Sequence, residues 1–179
     1  CSSVVLSVAI SGDTNLIASG CMNGNVYIYK WNTSSSNYEK QTTVAQGTSP
    51  VYCIGLINNG TIMVTGSGDR ILRVYKDSSG NGNFNTILQN ITDATDDVTG
   101  CTVSTDGVLI ITGSKDRALR IYYFSGGSYV LAQTSYDASK PLWSVALRLD
   151  AQVIVTGSAD SIVRVYLVCS NGSCFTCPN

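Results

Sequence analysis

Val64-Thr65-Gly66-Ser67-Gly68-Asp69-Arg70-Ile71-Leu72-Arg73-Val74-Tyr75 is the stretch on which the fold turns. It returns as Ile111-Thr112-Gly113-Ser114-Lys115-Asp116-Arg117-Ala118-Leu119-Arg120-Ile121-Tyr122. It returns again as Val155-Thr156-Gly157-Ser158-Ala159-Asp160-Ser161-Ile162-Val163-Arg164-Val165-Tyr166. A weaker copy runs from Ala18 to Tyr29, with Gly20 at its centre and Asn23 where the others carry Asp. The central glycines, Gly20, Gly66, Gly113 and Gly157, are 46, 47 and 44 residues apart.

Each copy has the chemistry of two strands joined by a tight turn. Thr, Val and Ile before the turn favour extended chain. Gly, Asp and Asn at the bend supply short polar side chains that bond nearby backbone groups. Leu72 and Val74 then take one face of the second strand, and Arg73 and Tyr75 the other. A hairpin recurring at about 45 residues, with further strand signals on both sides, points to the blades of a propeller. The expected fold is all-β, an array of four blades of three to four antiparallel strands forming an incomplete ring or open arc.

The copies resemble WD-repeat β-propeller blades over roughly Val5 to Val168. The likeness rests on the Gly-Ser-x-Asp turn and on a strand that ends in an aromatic residue. The family's Trp-Asp pair is replaced by Tyr75-Lys76, Tyr122-Tyr123 and Tyr166-Leu167, and the chain has no histidine for the family's hydrogen-bond network. The resemblance implies a non-catalytic scaffold that binds other proteins.

The expected blades span 4–46, 50–92, 97–137 and 141–168, so the repeats fill 1–168 and leave a cysteine-rich tail at 169–179. Asn58-Asn59-Gly60 is a strong hairpin signal, because Asn and Gly accept positive φ. Blade 4 runs out after its third strand. An arc that does not close leaves two apolar flanks in water. Several hundred Å² of apolar surface on each costs on the order of 10 kcal/mol. Something is therefore expected to cover them, either more of a longer chain or further copies of this one.

Eleven basic and 12 acidic residues in 179 give a net charge of −1. The arginines are single and repeat-spaced, which argues against nucleic acid, whose phosphates need clustered cations. No run approaches the roughly 20 apolar residues of a membrane helix. Seven cysteines is a raised count: Cys1, Cys21, Cys53, Cys101, Cys169, Cys174 and Cys177 are the disulfide candidates. The last three, spaced C-x4-C-x2-C, suggest the start of a disulfide-rich extracellular module; zinc is the alternative, without a histidine to help. Four sequons begin at Asn32, Asn59, Asn90 and Asn171, all at expected loops or strand ends where an N-linked glycan fits. Polar turns also produce such triplets by accident.

No catalytic, cofactor or metal site emerges. A Ser or Cys nucleophile has no histidine to pair with. No Gly-Lys-Ser/Thr phosphate loop is present. Asp69, Asp116 and Asp160 are expected to cap their own hairpins. Arg73, Arg120 and Arg164, four residues on, are expected to stack on aromatic rings or pair with acids. Asp93, Asp96 and Asp97 look like a solvated loop. Tyr52 and Trp143 hold matching places at the start of inner strands, where Trp143 either anchors a partner or packs between blades.

Two functions follow. The first is a non-catalytic extracellular structural or assembly protein, glycosylated and part of a surface or secreted fibre. The alternative is an intracellular, cytoplasmic WD-repeat scaffold for protein–protein interaction.

Overall fold

The computed structural model describes residues 3–57 and 59–168. Among these, fifteen strands build four antiparallel sheets and no helix forms. Blade 1 holds β1 (Val5–Ile10), β2 (Leu16–Cys21), β3 (Asn25–Asn32) and β4 (Asn37–Ala45). Blade 2 holds β5 (Val51–Leu56), β6 (Ile62–Ser67), β7 (Leu72–Lys76) and β8 (Thr86–Ile91). Blade 3 holds β9 (Val98–Val103), β10 (Leu109–Ser114), β11 (Leu119–Ser125) and β12 (Ser128–Ser135). Blade 4 holds β13 (Leu142–Leu147), β14 (Val153–Ser158) and β15 (Val163–Leu167). Strands neighbour each other in chain order within every blade. The blades pack in sequence through β1, β5, β9 and β13, and the array does not close.

The repeated hairpin joins the second and third strands of each blade, with Gly20, Gly66, Gly113 and Gly157 paired to Val26, Leu72, Leu119 and Val163. Its turn places Arg70, Arg117 and Ser161 at φ of 69°, 73° and 69°, in the left-handed region. Blade 1 has Gly24 there, at 81°. The strain of a side chain in that region is held by the bonds around it: Arg70 N–H donates to the Ser67 carbonyl at 3.1 Å and Arg117 N–H to that of Ser114 at 3.1 Å.

Alternation gives every blade two faces. The trailing face meets the next blade and the leading face meets the previous one. In blade 1 the trailing residues Leu16, Ala18, Val26 and Ile28 are buried against Met63, Tyr75 and Phe84 of blade 2. Val64, Leu72 and Val74 of blade 2 pack with Ile110 and Tyr122 of blade 3. Ile111, Leu119 and Ile121 of blade 3 pack with Ile154 and Tyr166 of blade 4. The core is thus three repeats of one joint, because the same alternating pattern was copied with the hairpin.

Close approach of the sheets depends on the central glycines. A Cβ at Gly66 would lie 2.5 Å from both Cys53 Sγ and Val98 Cγ1, the latter in the next blade.

Two of the disulfide expectations fail here. Cys53 and Cys101 are free, buried thiols facing each other across the joint between blades 2 and 3. Cys53 Sγ lies 3.9 Å from the Val98 carbonyl and Cys101 Sγ 3.9 Å from that of Val64. They fill the joint as small apolar side chains. Burial pushes the Cys53 thiol well above its ordinary range, and Cys101 adds to that. Cys21 is disulfide-bonded. Cys1, Cys169, Cys174 and Cys177, and with them the proposed cysteine-rich module, lie outside the described residues.

Candidate functional site

The innermost strand of each blade carries an irregularity at its second residue. Pairing jumps from Val51 to Cys53, and from Leu142 to Ser144. Blades 1 and 3 repeat the jump, passing over Leu6 and Thr99. A bulged residue leaves the ladder and its side chain is re-aimed. Tyr52 and Trp143 are two of these residues, so the bulge turns both rings out at the end of the inner strands.

Lys115 joins them. It stands in the hairpin turn of blade 3, after β10. Its Nζ lies 5.2 Å from the Tyr52 ring centroid and 5.4 Å from that of Trp143. The same Nζ donates to Asp97 Oδ2 at 2.6 Å, and Lys115 N–H donates to the Asp97 carbonyl at 2.9 Å. The Asp97 hydrogen bond, with the nearby charges of Asp97 and Asp96, raises the ammonium's pKa above its ordinary value. Blades 2, 3 and 4 are therefore tied at one end by a cation between two rings. Trp143 stays 51% exposed. Below the rings the surface is lined by Thr99, Gly100 and Ser144 together with Val8, Ile54 and Val145.

Trp143 thus stands half-exposed beside this surface, with Lys115 between it and Tyr52. Sequence reasoning placed Tyr52 and Trp143 in register but missed Lys115. A signal existed: the equivalent turn positions carry Gly68 and Ala159, so a lysine there is the exception. Asp97, expected in a solvated loop, is half of this ion pair.

The three hairpin carboxylates sit elsewhere, within the blades. Asp116 Oδ1 and Oδ2 accept from Arg120 Nη1 and Nη2 at 3.1 and 2.6 Å. Asp69 and Asp160 hold Arg73 and Arg164 in the same way. Each also accepts a backbone N–H of its own turn, from Ile71, Ala118 and Ile162. Asp116 and Asp160 reach further, accepting the N–H of Thr95 and Ser139 from the segment entering their blade. Burial pushes Asp116 up, but Arg120 and the N–H donors overcome this and hold its carboxyl below the usual range. The Arg164 guanidinium does the same for Asp160. These carboxylates are engaged in structure, each by its arginine and by the backbone of its own turn.

Asp77 is buried. It accepts Ser79 N–H and Oγ–H, Gly82 N–H and Asn83 N–H, and so organises the loop between β7 and β8. Among the described residues no group of His, Cys, Asp and Glu could hold a metal ion. No helix among them is long and apolar enough to cross a membrane. Of the sequons, Asn59 and Asn90 are exposed. The Asn32 side-chain nitrogen donates to Glu39 Oε2 at 2.9 Å. Asn171 lies outside the described residues.

The chain is similar in fold to two solved structures, described as "Structure of U3-55K" and "Crystal structure of RRP9 WD40 repeats". Each is 17% identical, with a TM-score of 0.77 over 94% of this chain. The chain spans 50% and 49% of their lengths, about half of each. No curated protein matches it. The family model for "WD domain, G-beta repeat" matches residues 1–30, 39–76, 85–123 and 130–166. Four matches covering most of the sequence, on four blades of the expected topology, place the chain in the WD40 repeat family.

Proposed function

We propose that the chain is a non-catalytic scaffold that binds other proteins through the blade end built from Tyr52, Lys115 and Trp143. One observation carries this reading: Trp143 is held in place by Lys115 yet keeps half its surface in water. An aromatic residue fixed in this way contributes contact area with little entropy left to lose. Membership of a family whose blades mediate protein interaction supports the same reading. Of the two functions drawn from the sequence, the interaction scaffold is thus preferred to the fibre subunit.

Affinity enrichment with the wild-type chain and with Trp143→Ala, followed by titration of the purified partner, tests it. The expected result is a partner whose affinity falls by at least about 30-fold in the variant, a hot-spot effect of about 2 kcal/mol. Equal binding by both proteins at unchanged stability would sink the reading.

A second reading concerns the compartment. The disulfide at Cys21 favours an oxidising, secretory setting, where such bonds persist. Exposed Asn59 and Asn90 are the positions at which glycans would then stand. Intact-mass measurement of the native protein, with and without thiol alkylation, decides it: hexose increments support secretion, and an unmodified mass with Cys21 already a free thiol supports the cytoplasm.

A further inference from the structure

The ammonium of Lys115 occupies a site that other side chains build. Tyr52 and Trp143 are the bulged residues of β5 and β13, and their ring centroids stand 5.2 and 5.4 Å from Nζ, within reach of a cation–π contact. Asp97 closes a third side, its Oδ2 2.6 Å from Nζ. The bulged residue of the strand between them, Thr99 of β9, is small and buried, with its hydroxyl donating to the Leu142 carbonyl, and so leaves room between the rings. Two ring faces and a carboxylate around one point make a receptor for an ammonium group.

The hairpin does not need a lysine there. Gly68 and Ala159 hold the same turn position in blades 2 and 4. Their backbone N–H groups donate to the Pro50 and Pro141 carbonyls at 2.9 Å, as that of Lys115 donates to the Asp97 carbonyl, and this bond stays when the Lys115 side chain swings away. The hold on that side chain is of the weak kind. Lys115 and Asp97 are 27% and 19% exposed, and an ion pair that water reaches gains little over its hydrated state. Charge is also left over. Asp96 is exposed, has no ion pair among the described residues, and lies close enough to act on the Lys115 charge. Two carboxylates thus stand against one lysine.

We propose that Tyr52, Trp143 and Asp97 receive a lysine side chain of the partner protein, and that Lys115 fills the site in the free chain and is displaced when the partner binds. This rests on the docking role given above to the same blade end, and names the chemistry of what docks there. The incoming ammonium takes the place of Lys115 between the rings, so Trp143 is held as before. The uncompensated charge of Asp96 favours a cationic partner over an acidic one.

Titration with n-butylammonium chloride, the lysine side chain as a free molecule, tests the site without any partner. Trp143 fluorescence is read in a Trp31→Phe background, with sodium chloride at equal ionic strength as the control. Lys115→Ala and Lys115→Gln are each expected to bind the probe at least about 10-fold more tightly than the chain that keeps Lys115, because the tethered lysine no longer competes. Adding Asp97→Asn to Lys115→Ala is expected to abolish the response. A response no larger than that to sodium chloride, in Lys115 variants that remain folded by circular dichroism, overturns the proposal. So does equal binding with Lys115 present, or binding that Asp97→Asn leaves intact. A partner isolated through Trp143 is expected to bind Lys115→Ala more tightly than wild type; weaker binding would make Lys115 itself a contact and overturn the displacement. The two readings fail separately. An unresponsive ammonium site leaves the docking role of Trp143 standing, whereas a partner indifferent to Trp143→Ala removes that role with butylammonium binding intact.

Discussion

Asp116 grips Arg120 with both carboxylate oxygens, at 3.1 and 2.6 Å, and the two side chains are 6% and 4% exposed. The pair sits inside blade 3 rather than on its surface. The same Asp116 oxygen that meets Arg120 Nη2 accepts the Thr95 N–H, so one carboxylate fixes a hairpin, a strand and the segment entering the blade. The same pair recurs as Asp69–Arg73 in blade 2 and Asp160–Arg164 in blade 4.

Breaking the pair from one side leaves a buried cation. Asp116→Asn is expected to cost about 3–5 kcal/mol in chemical denaturation. Asp69→Asn should cost less, because the Asp69 side chain is 26% exposed and water can solvate the freed Arg73. Equal losses would show that burial does not set the cost.

Acid should act through the same groups. Asp69, Asp116 and Asp160 all have pKa values lowered in the folded state. A depressed folded pKa gives stability that is present above the unfolded value of about 3.9 and lost as pH falls below it. Thermal melts should therefore be flat down to about pH 5 and fall steeply below about pH 4. A midpoint unchanged at pH 3 would contradict this.

Alkali gives the opposite sign. Burial raises Tyr75 and Tyr129 to about 12. Their contribution is fully present below the unfolded value of about 10 and is lost as pH rises through about 12. Ultraviolet titration of phenolate should show a late fraction that ionises together with unfolding. Ionisation of all ten tyrosines in one step near pH 10 would refute it.

The turn and the joint positions should respond differently to substitution. Gly66→Ala would push Cys53 and Val98 away and is expected to cost about 1–3 kcal/mol. Arg117→Gly removes a side chain from a left-handed position and is expected to change stability by less than about 1 kcal/mol. Differential scanning calorimetry of both variants checks the order. A more damaging change at Arg117 would show that its side chain, and not the backbone, matters.

The hairpin, its copy number and its faces were all legible in the sequence, because a strand's alternation and a turn's residue demands are local. Tyr52 and Trp143 could be aligned from the spacing alone. Lys115 could not be joined to them, since the contact spans blades 2, 3 and 4 and depends on the bulges that aim the rings. Cys53 and Cys101 show the same divide. Their number suggested disulfides, whereas packing placed them as a pair of reduced thiols in an apolar joint. The sequence by itself determined four sheets and the face each presents, because those follow from residue order along one strand. Only the tertiary structure decided which side chains meet across blades, because this depends on how sheets stack, and stacking joins residues far apart in the chain, such as Lys115 and Tyr52.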